Sequence, residues 1–357
     1  MLEHELINEL TAALEEIPNA AVTHVSIEPK KSQRSGPDAM LVLNLSGNDI
    51  DLVIETLRTA YPRDVREKIW QIRQYVSDGP LSKSGAIPML VANSISKGAR
   101  VQLKEANIGY YDASGSLFLP APSMYVLVDR PPLAKNRKIR DAIFKGQRAQ
   151  VLHYLFNDPD DWVSVKAIAT RTGISTATVS ETLTELERRE WMKSEGNGPS
   201  KLRKLSARRD LLDAWSHFVS TQKTPEVERF YVPGTQIEEI MERIDSASKL
   251  ADLSYAISGE AAVQVYSPYL SHISRVSCRM ATGSKRHLAL EVLKARPVSE
   301  GWNLAILPMI RKTETIRFEE RAGLRIAPPL QVYLDLLQGG GRSKEMAQHL
   351  RETTLRV

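Results

Sequence analysis

Residues 166 to 204 concentrate side chains that can bond nucleic acid. They are the hydroxyls of Ser175, Thr176, Thr178 and Ser180 and the cations Lys166, Arg171, Lys201, Arg203 and Lys204. Small hydroxyl side chains let a helix enter a major groove closely and bond phosphates and base edges. Lysine and arginine neutralise phosphates, dominate affinity and make it salt-dependent. The expected chemistry is non-covalent: the hydroxyls read bases while the cations hold the backbone.

A particular set of elements must position these groups. Ile143, Phe144, Val151, Leu152, Leu155 and Phe156 mark an apolar-periodic helix that ends at Asn157-Asp158-Pro159-Asp160. A short helix then buries Val165, Ile168 and Ala169, and Gly173 supplies a tight turn. Ser175 or Thr176 caps the next helix, since a hydroxyl accepts from an unpaired first-turn amide. That helix places Thr176, Thr178, Ser180 and Thr182 on one face and Val179, Leu183 and Leu186 on the other. Trp191 to Leu205 reads as a two-stranded wing with a Gly196-Asn197-Gly198-Pro199 tip, where Gly and Asn supply positive φ. The order predicts a winged helix-turn-helix.

The chain has 357 residues, enough for two or three domains with their own cores. Its formal charge is only +5, but the excess is clustered. Arg130, Lys135, Arg137, Lys138, Arg140, Lys145 and Arg148 precede the winged helix, and Arg188, Arg189, Lys193, Arg208 and Arg209 join the cations that follow its second helix. Clustered positive charge is the footprint expected of a nucleic-acid binder. The one cysteine, Cys278, rules out an intrachain disulfide and suits a reducing cytoplasm. No apolar stretch approaches membrane-spanning length, so a cytoplasmic location is expected, with no membrane partner. The acidic, amphipathic N-terminus lacks the features of a secretory signal.

The expected fold class is mixed α/β, in three domains: an α/β domain over 1–132, the winged helix over 133–222 and a second α/β domain over 223–357. In the first, Leu6, Ile7, Leu10, Leu14 and Ile17 recur at helical spacing, and strands are expected at 22–27, 40–45, 50–55, 88–92, 115–119 and 124–128. Helices are expected from Pro62 and after a Ser96 cap, and strands alternating with helices imply a mixed sheet. Residues 129–142 read as a basic linker. The last domain closes with a distinctive apolar stretch from Pro328 to Leu337, a Gly339-Gly340-Gly341-Arg342 turn and a helix at Met346 to Leu350.

Two parts of the chain resemble known families. Gln331-Val332-Tyr333-Leu334-Asp335-Leu336-Leu337, the Gly-Arg turn, Glu345-x-Ala347 and Leu350-Arg351 resemble the C-terminal domain of AbiEi-family type IV antitoxins. That resemblance implies a regulator that represses its own operon, usually at inverted repeats. Asp51-Leu52-Val53-Ile54-Glu55, followed by a helix at Pro62, is similar to small modules of the PD-(D/E)XK restriction-endonuclease fold. The resemblance implies Asp and Glu ligands for Mg²⁺ beside a Lys two positions after the Glu. Alternate residues of a strand share a face, which lets ligand and lysine converge on one phosphate. Here that position is Leu57, so the expected module is a degenerate nuclease kept as a scaffold.

The combined expectation is a sequence-specific double-stranded DNA-binding protein, a transcriptional repressor or autoregulating antitoxin, with no catalytic residues, metal or cofactor. A homodimer is expected because one winged helix reads too few base pairs to be selective. One alternative is a metal-dependent DNA nuclease with Asp38, Asp51 and Glu55 as ligands. Another is an adaptor that binds a cognate toxin. The seven histidines are scattered, His153 reads as a core residue, and a single cysteine excludes a Cys-based zinc site. Trp162, Trp191, Trp215 and Trp302 read as packing residues.

Overall fold

The computed structural model describes residues 3–27, 36–78, 85–122, 124–157, 161–224, 226–234, 236–270, 272–307 and 318–357. The first elements are α1 (Glu3–Glu15), β1 (Ala20–Ile27), β2 (Ala39–Leu45), β3 (Asn48–Leu57), α2 (Pro62–Asp78), β4 (Ile87–Ala92), α3 (Lys97–Glu105), β5 (Gly109–Asp112), β6 (Leu117–Ala121), β7 (Met124–Val128) and α4 (Ala134–Asp141). Next come α5 (Gly146–Asn157), α6 (Val165–Thr172), α7 (Thr176–Arg188), β8 (Met192–Glu195), β9 (Leu202–Leu205) and α8 (Arg208–Ser220). The rest is β10 (Glu228–Tyr231), α9 (Ile237–Leu250), β11 (Tyr255–Ser258), α10 (Gly259–Tyr266), β12 (Val276–Met280), α11 (Ser284–Val292), β13 (Arg296–Pro297), β14 (Leu304–Leu307), β15 (Glu319–Arg321), β16 (Leu324–Ile326), α12 (Pro329–Leu337) and α13 (Ser343–Leu350).

These elements fall into two compact units, residues 1–143 with 180–195 and residues 144–179 with 196–357. The expected boundaries at 132 and 222 do not coincide with this division: the first turn of α7 belongs to one unit and its later turns to the other.

In the N-terminal unit seven strands lie in sequence order, β1 to β7. β1, β2 and β3 form an antiparallel meander, β3, β4 and β5 run parallel, and β6 and β7 close the sheet antiparallel. Parallel neighbours need a crossover, and α2 and α3 provide the two. Alternation along the strands splits the core into two layers. Leu41, Leu43, Leu52, Ile54, Met89 and Val91 pack with Leu6, Ile7, Leu10 and Leu14 of α1. Leu90, Tyr110 and Phe118 pack on the other face with Val65 and Ile72 of α2 and Ala99 and Leu103 of α3. Ser96 caps α3 as expected, accepting from the Ala99 amide at 3.3 Å. The stretch read as a linker instead holds α4, where Asn136 donates to the Asn93 carbonyl at 2.6 Å. Its basic run hides a helix because cations are good helix formers when the opposite side has an anchor.

In the other unit Phe144 stacks on Trp215 and Phe218 at 5.7 and 5.5 Å, and half-buried His153 meets Trp215 edge-on at 4.9 Å. Its sheet has the order β13-β10-β14-β12-β11-β16-β15. β10, β13 and the β15–β16 hairpin went unread in the sequence, being strands of two to four residues. The α12 stretch that carries the antitoxin resemblance buries Leu330, Val332, Tyr333, Leu334 and Leu336. Asp335 turns back to the sheet, where it accepts from Ser258 Oγ at 2.6 Å, from Arg279 through two nitrogens at 3.0 and 2.5 Å, and from Gln331 at 2.8 Å. Arg351 closes the same region on Asp213 at 2.7 Å.

Candidate nucleic-acid interface

Two hydroxyl caps build the central motif. Ser164, in extended backbone, accepts from the Ala167 amide at 3.1 Å and starts α6. Gly173 ends that helix at φ 70°, a left-handed conformation that a side chain resists. Ser175 then accepts from the Thr178 amide at 3.2 Å and donates to the Thr178 hydroxyl at 3.0 Å, so it is the cap of α7. Val179, Leu183 and Leu186 are fully buried and give α7 its packed side. β8 and β9 form a two-stranded sheet, and Gly196 and Gly198 take φ of 75° and 59° at the tip.

The structure separates the expected reading residues. Ser175 and Thr176 are exposed, Thr178 and Ser180 half-buried, and Thr182 fully buried. Thr182 therefore leaves the expected polar face. Successive steps of two residues turn about 200° on a helix, so the four threonines and serines lie on two sides and not one. The open stripe follows the helical repeat instead: Thr176, Ala177, Ser180, Glu181 and Thr184. Ala177 and Thr184 were missed, although they lie three before and four after Ser180, on its side of the helix. An alanine methyl can meet a thymine methyl, and a threonine can bond either base edge or phosphate.

The cations differ as much. Lys166 is exposed near the start of α6. Arg171 is exposed but donates to the Tyr154 hydroxyl at 2.7 Å, which fixes its guanidinium. Lys201 and Lys204 are half-buried along the wing. Arg203 is only 7 % exposed, and its backbone exchanges both hydrogen bonds with Val163. This burial removes Arg203 from the surface cations. β-strand alternation explains it, because Leu202 and Lys204 take the opposite side from Arg203.

Arg188 and Arg189 also leave the expected cationic footprint. Arg188 forks onto Asp64, with Nε at 3.1 and 3.2 Å from the two oxygens and Nη2 at 2.8 Å, and also reaches the Thr59 carbonyl at 3.1 Å. The bond to Asp64 raises the Arg188 pKa still further above pH 7. Arg189 is 7 % exposed and donates to the Tyr61 hydroxyl at 3.2 Å, to the Arg140 carbonyl at 2.7 Å and to Glu185. Burial pushes the Tyr61 phenol up, so it remains a neutral partner.

The nuclease-like residues do not assemble a metal site. Asp38 accepts from the Thr56 amide and hydroxyl at 2.7 and 2.8 Å. Glu55 is 1 % exposed, and its carboxylate pairs with Lys68 of α2, which also donates to Gln71 at 3.1 Å. Among the described residues no group of three or more His, Cys, Asp or Glu could hold a metal ion. The charge that faces Glu55 is an ammonium, supplied from a helix and not from the strand.

Residues 144–199 match the MarR family model, and residues 204–356 match the model described as transcriptional regulator, AbiEi antitoxin, type IV TA system. From residue 144 onward the chain is thus similar to a MarR winged helix followed by an AbiEi regulator domain. No curated protein and no solved structure matches the chain. The matches bear out the DNA-binding regulator class and the antitoxin resemblance drawn from residues 331–351. No helix among the described residues is long and apolar enough to cross a membrane.

Proposed function

We infer that this protein is a sequence-specific repressor of its own operon, acting as the antitoxin half of a toxin–antitoxin pair. The observation that carries the reading is the open stripe Thr176, Ala177, Ser180, Glu181 and Thr184 on α7 of a MarR-like segment. That stripe enters a major groove, with the Ser175–Thr178 pair fixing the first turn against a phosphate. Lys166, Arg171, Lys201 and Lys204 contact the backbone. Three functional modules share the work: a nuclease-like scaffold without turnover, the winged helix, and the AbiEi-like domain. Two copies bind together, since a single helix reads too short a sequence for selection within a genome.

The test is selection of bound fragments from random duplex DNA at about 0.15 M salt, where non-specific binding is weak. A palindromic consensus supports a repressor that binds as a pair, and no consensus overturns the reading. A plasmid incubated with Mg²⁺ or Mn²⁺ in parallel separates scaffold from nuclease: cleavage lost in Glu55→Ala would favour the enzyme.

A further inference from the structure

The contacts between α2 and the end of α7 follow one rule. Arg63 pairs with Glu187 at 3.3 Å, Asp64 with Arg188 at 2.8 Å, and Arg66 with Glu190 at 2.6 Å, while the Tyr61 hydroxyl reaches Glu185 at 3.5 Å. The sequence offset is 124 residues for the Tyr61, Arg63 and Asp64 pairs, and Arg66 with Glu190 keeps it. A constant offset means that the two segments run in the same direction and in one register. The charges along α2 read plus, minus, plus, and those opposite read minus, plus, minus.

Each of these pairs is partly exposed, and exposed ion pairs contribute little stability one by one. Their alternation does something else, because a slip by one position along the ladder sets like charges against each other. Alternating charges of this kind fix register and partner choice between helices. The buried Arg189, held by Tyr61, Glu185 and the Arg140 carbonyl, pins the same end. A helix stabilised only by cations near its C-terminus would need no such partners from α2.

We propose that the N-terminal α/β domain is the positioning element of the reading helix: the α2 ladder grips the last turns of α7 and thereby sets how sharply its open stripe selects a base sequence. The proposal rests on the reading that α7 enters duplex DNA. Tyr61, Arg63, Asp64 and Arg66 are positioning residues and touch no base. A continuous helix carries the constraint from its held end to Thr176, a function the nuclease-like scaffold can serve without any turnover.

The experiment compares the full chain with Asp64→Arg and with the exchange Asp64→Arg/Arg188→Asp. Each is titrated with the duplex selected by the wild type and with a scrambled duplex, across a range of salt. Asp64→Arg is expected to lower the ratio of specific to scrambled affinity about tenfold, within the usual range of coupling between sites. Scrambled affinity and salt slope stay unchanged, and the exchange restores the ratio. Amide hydrogen exchange over 176–184 speeds up in the single variant and recovers in the double. An unchanged ratio in a folded Asp64→Arg, or a double variant that folds without recovery, overturns the proposal. Should Asp64→Arg unfold the domain, Arg66→Glu at its exposed position is read the same way. A wild type with no sequence preference overturns the DNA reading and this proposal with it, whereas a selective wild type beside an unchanged variant overturns the proposal alone.

Discussion

Val163 and Arg203 exchange both of their main-chain hydrogen bonds, at 2.8 and 2.9 Å. This bridge ties the residue before the Ser164 cap to the second strand of the wing, so α6 and β9 share one backbone anchor. The bridge also explains why Arg203 points inward while Lys204 stays near the surface.

Val163→Pro should therefore loosen the wing. Proline removes the amide donor to the Arg203 carbonyl, a loss of about 1–3 kcal/mol for a buried backbone hydrogen bond. Chemical denaturation should report the loss, and hydrogen exchange should show faster amides over 202–205. Equal protection in the variant would mean that the bridge does not hold the wing.

The buried Glu55–Lys68 pair gives a second expectation. Lys68→Met keeps the length of the stem but leaves a carboxylate 1 % exposed without its ammonium. Breaking a buried pair from one side costs about 3 kcal/mol, because the remaining charge loses its counter-ion. Denaturation midpoints at pH 7 test this, and a variant as stable as the parent would show that Glu55 is held otherwise.

Much of this architecture was legible in the sequence, and the exceptions share a physical cause. Helical periodicity marks α1 and α7, and short apolar runs mark β2 and β3. Both signals are local. Arg188 and Arg189 read as part of the cationic footprint because their partners, Tyr61, Asp64 and the Arg140 carbonyl, lie far away in the chain. Lys68 escaped notice for the same reason: a search for a lysine on the strand of Glu55 does not see one arriving from a helix. Thr182 was misplaced by a purely local error, a spacing of two applied to a helix. The turn expected at 157–160 falls largely outside the described residues.

Alkaline pH should destabilise the AbiEi-like domain. Burial pushes the Cys278 thiol above its ordinary 9.0. Burial first, and then a bond to Asp245, raises the Tyr255 phenol above 10.0. Both groups keep their protons when folded at a pH where the unfolded chain releases them. Their contribution is fully present below about pH 9 and is lost as pH rises beyond it, by up to about 1.4 kcal/mol per pH unit for each group. Urea midpoints between pH 8 and 11 should fall, and Cys278→Ala should flatten the first part of the decline. Rapid labelling of Cys278 by a thiol reagent in the native protein at pH 8 would contradict its burial.

The two sides of α7 predict opposite phenotypes for one chemical change. Thr176→Val removes an exposed hydroxyl, so stability should change by less than about 0.5 kcal/mol. Its cost should appear in DNA binding, confined to one or two base positions at about 1–3 kcal/mol. Thr182→Val acts where the side chain is fully buried and replaces a hydroxyl with a methyl. Its cost should appear in thermal denaturation, because any partner of the hydroxyl loses a hydrogen bond in the interior, worth about 1 kcal/mol. Base preference should be unaltered there. Measuring both variants by denaturation and by fragment selection separates the faces, and a selection defect in Thr182→Val with none in Thr176→Val would reverse the assignment of the reading side.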